Sequence, residues 1–372
     1  MKQPLGVSRR ELVTEPIDMF LSAGQSNEVG KGDLNGKETG IPEVTVFGGD
    51  YKWRQLEEPA YSGEGHIDAI SDNGTWAGHS SLLRFGKSVY AATGKPISIV
   101  TAAKGSTSTT QWYPYNSERF DRGSLFGSAD FRVNQALKGG RVLRGILWMQ
   151  GESDSLDSSK FISRNTTIIN KFKKLYGSDI PVFYSQLATH VNATNNAQFQ
   201  VIREMQRKME TGSGDASAIP GHYMIVTHDL GIDDGDIHMN KEAELIMGDR
   251  RALAVLERYY KLPVNGTGPR LVGISKPTAT TIKVKTTRSI NDHNTYENFF
   301  KVYDNGAAAT ISSISRDPGD NTAVRITLAA APAGTVTVEF GPPARARNVR
   351  LFNCVQDADG LPLPAFGPLG LF

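Results

Sequence analysis

A single cysteine, Cys354, among 372 residues excludes an internal disulfide and a cysteine-built metal site. Its expected place is a small apolar position in a late strand, and the composition suits folding in a reducing compartment. Charge of one sign is also lacking: 41 Lys and Arg oppose 39 Asp and Glu, for a net charge of +2. With no long basic run, nothing marks a nucleic-acid partner. No segment approaches the roughly 18–20 continuous apolar residues of a membrane span, so no membrane partner is expected. The opening MKQPLGVSRRELVTEPID is charged throughout and has no apolar core, so no secretory signal is visible. Internal repeats and low-complexity tracts are missing as well.

What is present falls into two rhythms. From Ile17 to Tyr260, short apolar runs alternate with helical patterns: IDMFLSAG (17–24), PISIVTAA (96–103), RGILWMQG (144–151), IPVFYSQLA (180–188) and YMIVTHDLG (223–231). Runs of this length and composition predict strands buried on both faces. Between them, Phe161, Ile168, Phe172 and Leu175 recur at helical spacing after a candidate cap at Asp157 or Ser158. Phe199, Ile202, Met205 and Met209 mark a second helix, and a third, containing Ala243, Ile246, Leu253 and Leu256, opens at Asn240. Strand–helix repetition implies a parallel sheet covered by helices.

After about residue 262, the runs LVGIS, TIKVKTT, NFFKVYD, ATISSIS, AVRITLA and TVTVEFG alternate with period two between Gly, Pro, Asn and Asp. They predict a C-terminal antiparallel β-sandwich over 263–372, joined through PVNGTGP to a domain spanning 17–262, with 1–16 as a lead segment. Residues 31–79 show no convincing regular element and read as a long functional loop.

In an open parallel sheet, ligands gather at the carboxyl ends of the strands. Four such ends carry chemistry. The first is followed by Gly24-Gln25-Ser26-Asn27, the second by Lys104-Gly105-Ser106-Thr107, the third by Gln150-Gly151-Glu152-Ser153-Asp154. The fifth leads through Asp233, Asp234, Gly235 and Asp236 to His238. A serine hydroxyl becomes a nucleophile when an imidazole accepts its proton, the imidazole needs an orienting partner, and the oxyanion needs donors. Ser26, His238, the N–H groups of Ser26 and Gly105, and the Gln150 amide supply those parts. A turn serine, a tight-turn glycine and a helix-start histidine are the structural alternatives, each weaker once the four ends are taken together. His66, His79, His190, His222 and His228 show no metal-ligand spacing, so no metal is expected.

The blocks GQSN (24–27), AAKGSTSTTQW (102–112), WMQGESD (148–154) and DIHMNKEA (236–243) resemble the ordered blocks of SGNH-type hydrolases, within them most closely the sialate O-acetylesterase and acetylxylan esterase group. NVRLFNCVQDADGLPLPAF (348–366) is similar to a closing segment of such proteins. The resemblance implies a flavodoxin-like three-layer α/β/α domain. It also implies a serine-dependent O-acetylesterase acting on an O-acetylated carbohydrate without cofactor. Ser26 would be nucleophile, His238 base, and Ser26, Gly105 and Gln150 the oxyanion hole. Asp236 and Glu152 compete as the residue orienting His238, and Asn27 and Trp112 are candidate substrate contacts. Where the resembled pattern often has Pro after the histidine and Met after GQSN, this chain has Met239 and Glu28, which stand to alter the pocket. The alternatives are a lipase or thioesterase of the same superfamily and an inactive glycan-binding or virion module. The expected setting is the cytoplasm, or a phage-encoded protein acting on a cell-surface glycan.

Overall fold

The computed structural model describes residues 15–115, 119–233, 237–292, 296–345, 347–351 and 354–372. In chain order the first part contains β1 (Ile17–Gly24), α1 (Ser26–Val29), β2 (Val44–Phe47), β3 (Trp53–Gln55), α2 (Leu82–Thr93), β4 (Ile97–Thr101), α3 (Thr109–Trp112), α4 (Leu125–Leu137) and β5 (Arg141–Met149). It continues with α5 (Phe161–Tyr176), β6 (Val182–Gln186), α6 (Ala193–Met209), β7 (His222–Val226) and α7 (Lys241–Arg258).

The five expected strands all form, and they pair in the order β4-β1-β5-β6-β7, parallel throughout. The region read as a structureless loop adds two more. β2 pairs in parallel with β4, and β3 closes that edge in antiparallel fashion. Along β1 the side chains alternate between two cores: Met19, Leu21 and Ala23 enter one, Phe20 the other. β5, β6 and β7 divide the same way, with Trp148, Tyr184 and Met224 on one face and Leu147, Phe183 and Ile225 on the other. α4, α5 and α6 cover the first face and α2 and α7 the second, which makes three layers. Double-sided burial explains why these strands read as continuous apolar runs.

Side-chain caps start several helices. Asn240 accepts the N–H of Ala243 at 2.9 Å, as expected for α7. α5 differs: Lys160 stands at its N-cap, and Ser158 contributes its carbonyl to the N–H of Phe161 instead of a side-chain cap. No helix among the described residues is long and apolar enough to cross a membrane.

The remainder holds β8 (Leu271–Ser275), β9 (Thr281–Thr286), β10 (Phe300–Asp304), β11 (Ala307–Ala308), β12 (Ile311–Asp317), β13 (Asp320–Leu328), β14 (Val336–Phe340) and β15 (Phe366–Gly370). They form two four-stranded sheets, β11-β10-β14-β15 and β12-β13-β9-β8, antiparallel throughout. Val302, Val338, Phe340 and Phe366 of one sheet share a single buried cluster with Ile282, Val284 and Ile326 of the other. Cys354 lies in that cluster too, in a bend between strands instead of within one.

Polar side chains of α6 seat these sheets against the α/β part. The Gln200 amide donates to the carbonyls of Phe340 and Phe366 at 3.1 and 3.0 Å, and Asn196 donates to Pro342 at 2.8 Å. Arg270 grips Glu210 through two bonds of 2.7 and 2.8 Å. Buried carbonyls that leave a sheet need such donors, because an unsatisfied one costs about 1–3 kcal/mol.

Candidate active site

β1 is where strand order reverses, with β4 on one side and β5 on the other, and a crevice opens beyond the carboxyl end of such a strand. Gly24 makes the exit possible. Its φ is +135°, and a Cβ there would lie 2.0 Å from the carbonyl oxygen of Met149 on β5. The chain therefore turns tightly against β5, and Ser26 starts the single turn α1, where its N–H has no helical acceptor.

His238 comes from the loop after β7. Its Nε2 lies 2.9 Å from Ser26 Oγ, although 212 positions separate the two residues. A small antiparallel bridge between Ile232 and Met239 closes this loop, and the N–H of Asp233 donates to the carbonyl of His238 at 2.7 Å. Two clasps hold it from outside. Asn27 accepts the N–H of Met239 at 3.0 Å and donates to the carbonyl of Ile237 at 3.2 Å. On the far side, Asn348 donates its N–H to the carbonyl of Ile232 at 2.6 Å and accepts from the Asn240 side chain at 3.0 Å. Leu351 bonds the carbonyl of Asp229, and Arg345 the carbonyls of His228 and Leu230. The segment resembling a closing element thus braces the histidine loop.

The candidate residues separate into those that face the pocket and those that support it. Gly105 faces it: a Cβ at this position would be 3.8 Å from Ser26 Cβ and 3.4 Å from Asp72 Oδ2. Gln150 is buried, and its amide hydrogens go to the carbonyl of Thr107 at 2.6 Å and to Asp154 at 3.0 Å. Glu152 is buried beneath Ser26, accepting from Asn27 at 2.6 Å and from the Gln25 amide. Burial pushes its carboxyl up to about 7, against those two donors. It fastens the residues on either side of the serine to each other. Asp236, the other candidate partner of His238, lies outside the described residues.

Both expected substrate contacts turn inward. Trp112 is fully buried and packs edge-on against Trp148, with its Nε1 donating to Thr107. Asn27 spends its amide on Glu152 and on the histidine loop. The pocket of about 340 Å³ around Ser26 and His238 is instead lined by Lys31, Asp72, Trp76, Lys104, Gly105 and Ser106. Trp76 is 79% exposed there. Lys31, Asp72 and Trp76 all come from the segment read as a loop, and the Asp72 carboxylate accepts from the Gly105 N–H at 3.4 Å. Within that segment only the two tryptophans and the concentration of Gly and acidic residues hinted at a role.

Glu28 does not reach the pocket. It points into the core between Ser22 and Arg251, with its Oε2 2.5 Å from the Arg251 guanidinium, so its presence after GQSN leaves the pocket unchanged. Met239 is likewise buried, in a cluster with Leu230 and Ile232.

A hydroxyl held against an imidazole at the crevice of a parallel sheet has the parts needed for acyl transfer. The family match points to a carboxylic ester hydrolase. Residues 16–257 match the model of carbohydrate esterases described as sialic acid-specific acetylesterase, and the chain belongs to that family. It is 23% identical over 266 residues to a protein of Arabidopsis thaliana described as a probable carbohydrate esterase, covering 66% of this chain and 92% of the relative. A solved structure of an Arabidopsis thaliana protein matches 66% of this chain and 99% of its own, with a TM-score of 0.54 at 20% identity. A carbohydrate acetylesterase from Xanthomonas citri matches 94% of this chain and 80% of its own, with a TM-score of 0.66 at 17% identity. That last likeness extends the shared fold into the C-terminal sheets.

Proposed function

We propose that the chain is a serine-dependent carbohydrate O-acetylesterase, built as a flavodoxin-like SGNH-type domain over 17–262 followed by a β-sandwich domain over 263–372. The observation that carries this reading is the 2.9 Å contact between His238 Nε2 and Ser26 Oγ in a chain of the carbohydrate esterase family. His238 takes the Ser26 proton as the oxygen attacks the acetyl carbonyl. The N–H groups of Ser26 and Gly105 receive the developing oxyanion, the Gly105 N–H exchanging its long 3.4 Å bond to Asp72 for it. Gln150 supports that hole by fixing the Thr107 carbonyl just beyond the Gly105 turn. His238 then returns the proton to the departing sugar oxygen. In the second half-reaction it activates water, which cleaves the acetyl–serine ester and regenerates Ser26.

The lining of the pocket supports a short acyl group on a polar alcohol. Two lysines, an aspartate and a serine surround Ser26, where a long-chain lipase needs an apolar groove. Acetate release from O-acetylated saccharides and from 4-nitrophenyl acetate tests the reading. Ser26→Ala is expected to lower turnover at least ~10⁴-fold with the fold intact, the scale set by loss of an activated nucleophile. Wild-type rates in that variant would overturn it.

A further inference from the structure

Beyond the catalytic pocket there is an open groove of about 520 Å³, and the proposed reaction makes no use of its space. Two segments contribute to both. Around 70–72, Ile70 lines the groove while Asp72 lines the pocket, and around 105–107, Thr107 lines the groove while Gly105 and Ser106 line the pocket. The groove and the pocket are therefore neighbours, flanking the same two short segments. Its volume falls within the roughly 300–1,000 Å³ of small-molecule sites.

Its chemistry is that of a sugar platform. Tyr113 and Tyr115 meet with ring centroids 4.6 Å apart and planes inclined by 54°. Tyr115 is 65% exposed, an arrangement that leaves large apolar ring faces in water. Around them the hydroxyls of both tyrosines and of Thr110 have no partner among the described residues. Gln111 uses its carbonyl oxygen to cap α3, accepting from Ser108 at 2.7 Å, and its amide hydrogens remain available. A pyranose has one face of C–H groups and a rim of hydroxyls. Rings for the face, and donors and acceptors for the rim, match it.

We propose that this groove, centred on Tyr113 and Tyr115, binds a second sugar of the glycan whose acetyl group sits at Ser26, so that the preferred substrate is an oligosaccharide or polysaccharide chain. The inference rests on the carbohydrate-esterase reading above. The experiment compares kcat/KM for acetylated xylotetraose, acetylated cello-oligosaccharide and acetylated sialyl-oligosaccharide with their acetylated monosaccharides and with 4-nitrophenyl acetate. In the wild type, at least one oligosaccharide is expected to exceed its monosaccharide. In Tyr115→Ala that advantage is expected to fall about tenfold, the order of one aromatic contact, with 4-nitrophenyl acetate unchanged. Tyr115→Phe keeps the ring and is expected to keep most of the advantage, which separates stacking from a damaged fold. No advantage for any chain over its monosaccharide, or an advantage untouched by Tyr115→Ala, would overturn the proposal while leaving the esterase reading intact. Hydrolysis of 4-nitrophenyl acetate with no acetate released from any saccharide would overturn the carbohydrate reading itself, and the groove proposal with it.

Discussion

Glu152 offers a quantitative test of the network under Ser26. The carboxyl is fully buried, and burial raises it from an ordinary value of 4.5 to about 7. Between those values the folded chain binds a proton that the unfolded chain has already lost. The sign follows: the group's contribution to stability is complete below about pH 4.5 and is lost as pH rises through about 7. At roughly 1.4 kcal/mol per pH unit the whole effect is on the order of 3 kcal/mol, most of which falls between pH 5 and 8.5. Glu152→Gln cannot ionise. It also loses one of the two bonds accepted from Gln25 and Asn27, a penalty that does not depend on pH. Urea unfolding at pH 5, 7 and 8.5 separates the two contributions. All four tryptophans precede residue 150, so their fluorescence reports on the α/β part alone. Wild type is expected to lose on the order of 2–3 kcal/mol more than Glu152→Gln over that range. Parallel losses in the two proteins would refute a titrating carboxyl at this position.

Two further outcomes follow from the same geometry. Arg251→Met strands the Glu28 carboxylate in a fully buried site and is expected to destabilise by about 3–5 kcal/mol, measured by denaturation. The double variant Glu28→Met with Arg251→Met is expected to recover most of that loss, and no recovery would show that the pair is not coupled. Asn348→Gly preserves the left-handed backbone at this position, where φ is 58°, and removes only the side-chain bonds to Asn240 and Asp233. It is expected to lower kcat roughly fivefold to tenfold without changing KM, the scale of one or two neutral hydrogen bonds. A change confined to KM would argue against a role in holding His238.

The sheet was legible because its strands are buried on both faces: Ile17–Gly24 is buried at every position after the first and Val182–Gln186 at every position, so aliphatic and aromatic residues outnumber polar ones along both. β2 and β3 were not, since four and three residues in a glycine-rich stretch carry no periodicity of their own. Their register comes from β4, through pairs such as Val44 with Ile97. At the site, reading the strand ends picked out Ser26, Gly105 and His238, which meet in one pocket. Asn27, next to Ser26 in the chain, and Gln150 and Trp112, from the other strand-end blocks, turn into the interior instead. One residue of phase at a strand end decides whether an amide meets solvent or the interior, and that phase is set by neighbours such as Glu152 and Asp154. Lys31, Asp72 and Trp76 reach the pocket from an irregular segment whose path no local pattern encodes.

The outer clasp on the histidine loop gives the chain a sense of time. As the polypeptide emerges from a ribosome, β1 and Ser26 appear first, and His238 follows some two hundred residues later. Arg345, Asn348 and Leu351, which secure that loop from the far side, arrive only after another hundred. Before they do, the loop has its own Ile232–Met239 bridge and the Asn27 bonds to hold it. The outer half of the bracing exists only once Arg345, Asn348 and Leu351 are made and folded back, so the last part of the chain to be synthesised completes the support of a site begun by the first.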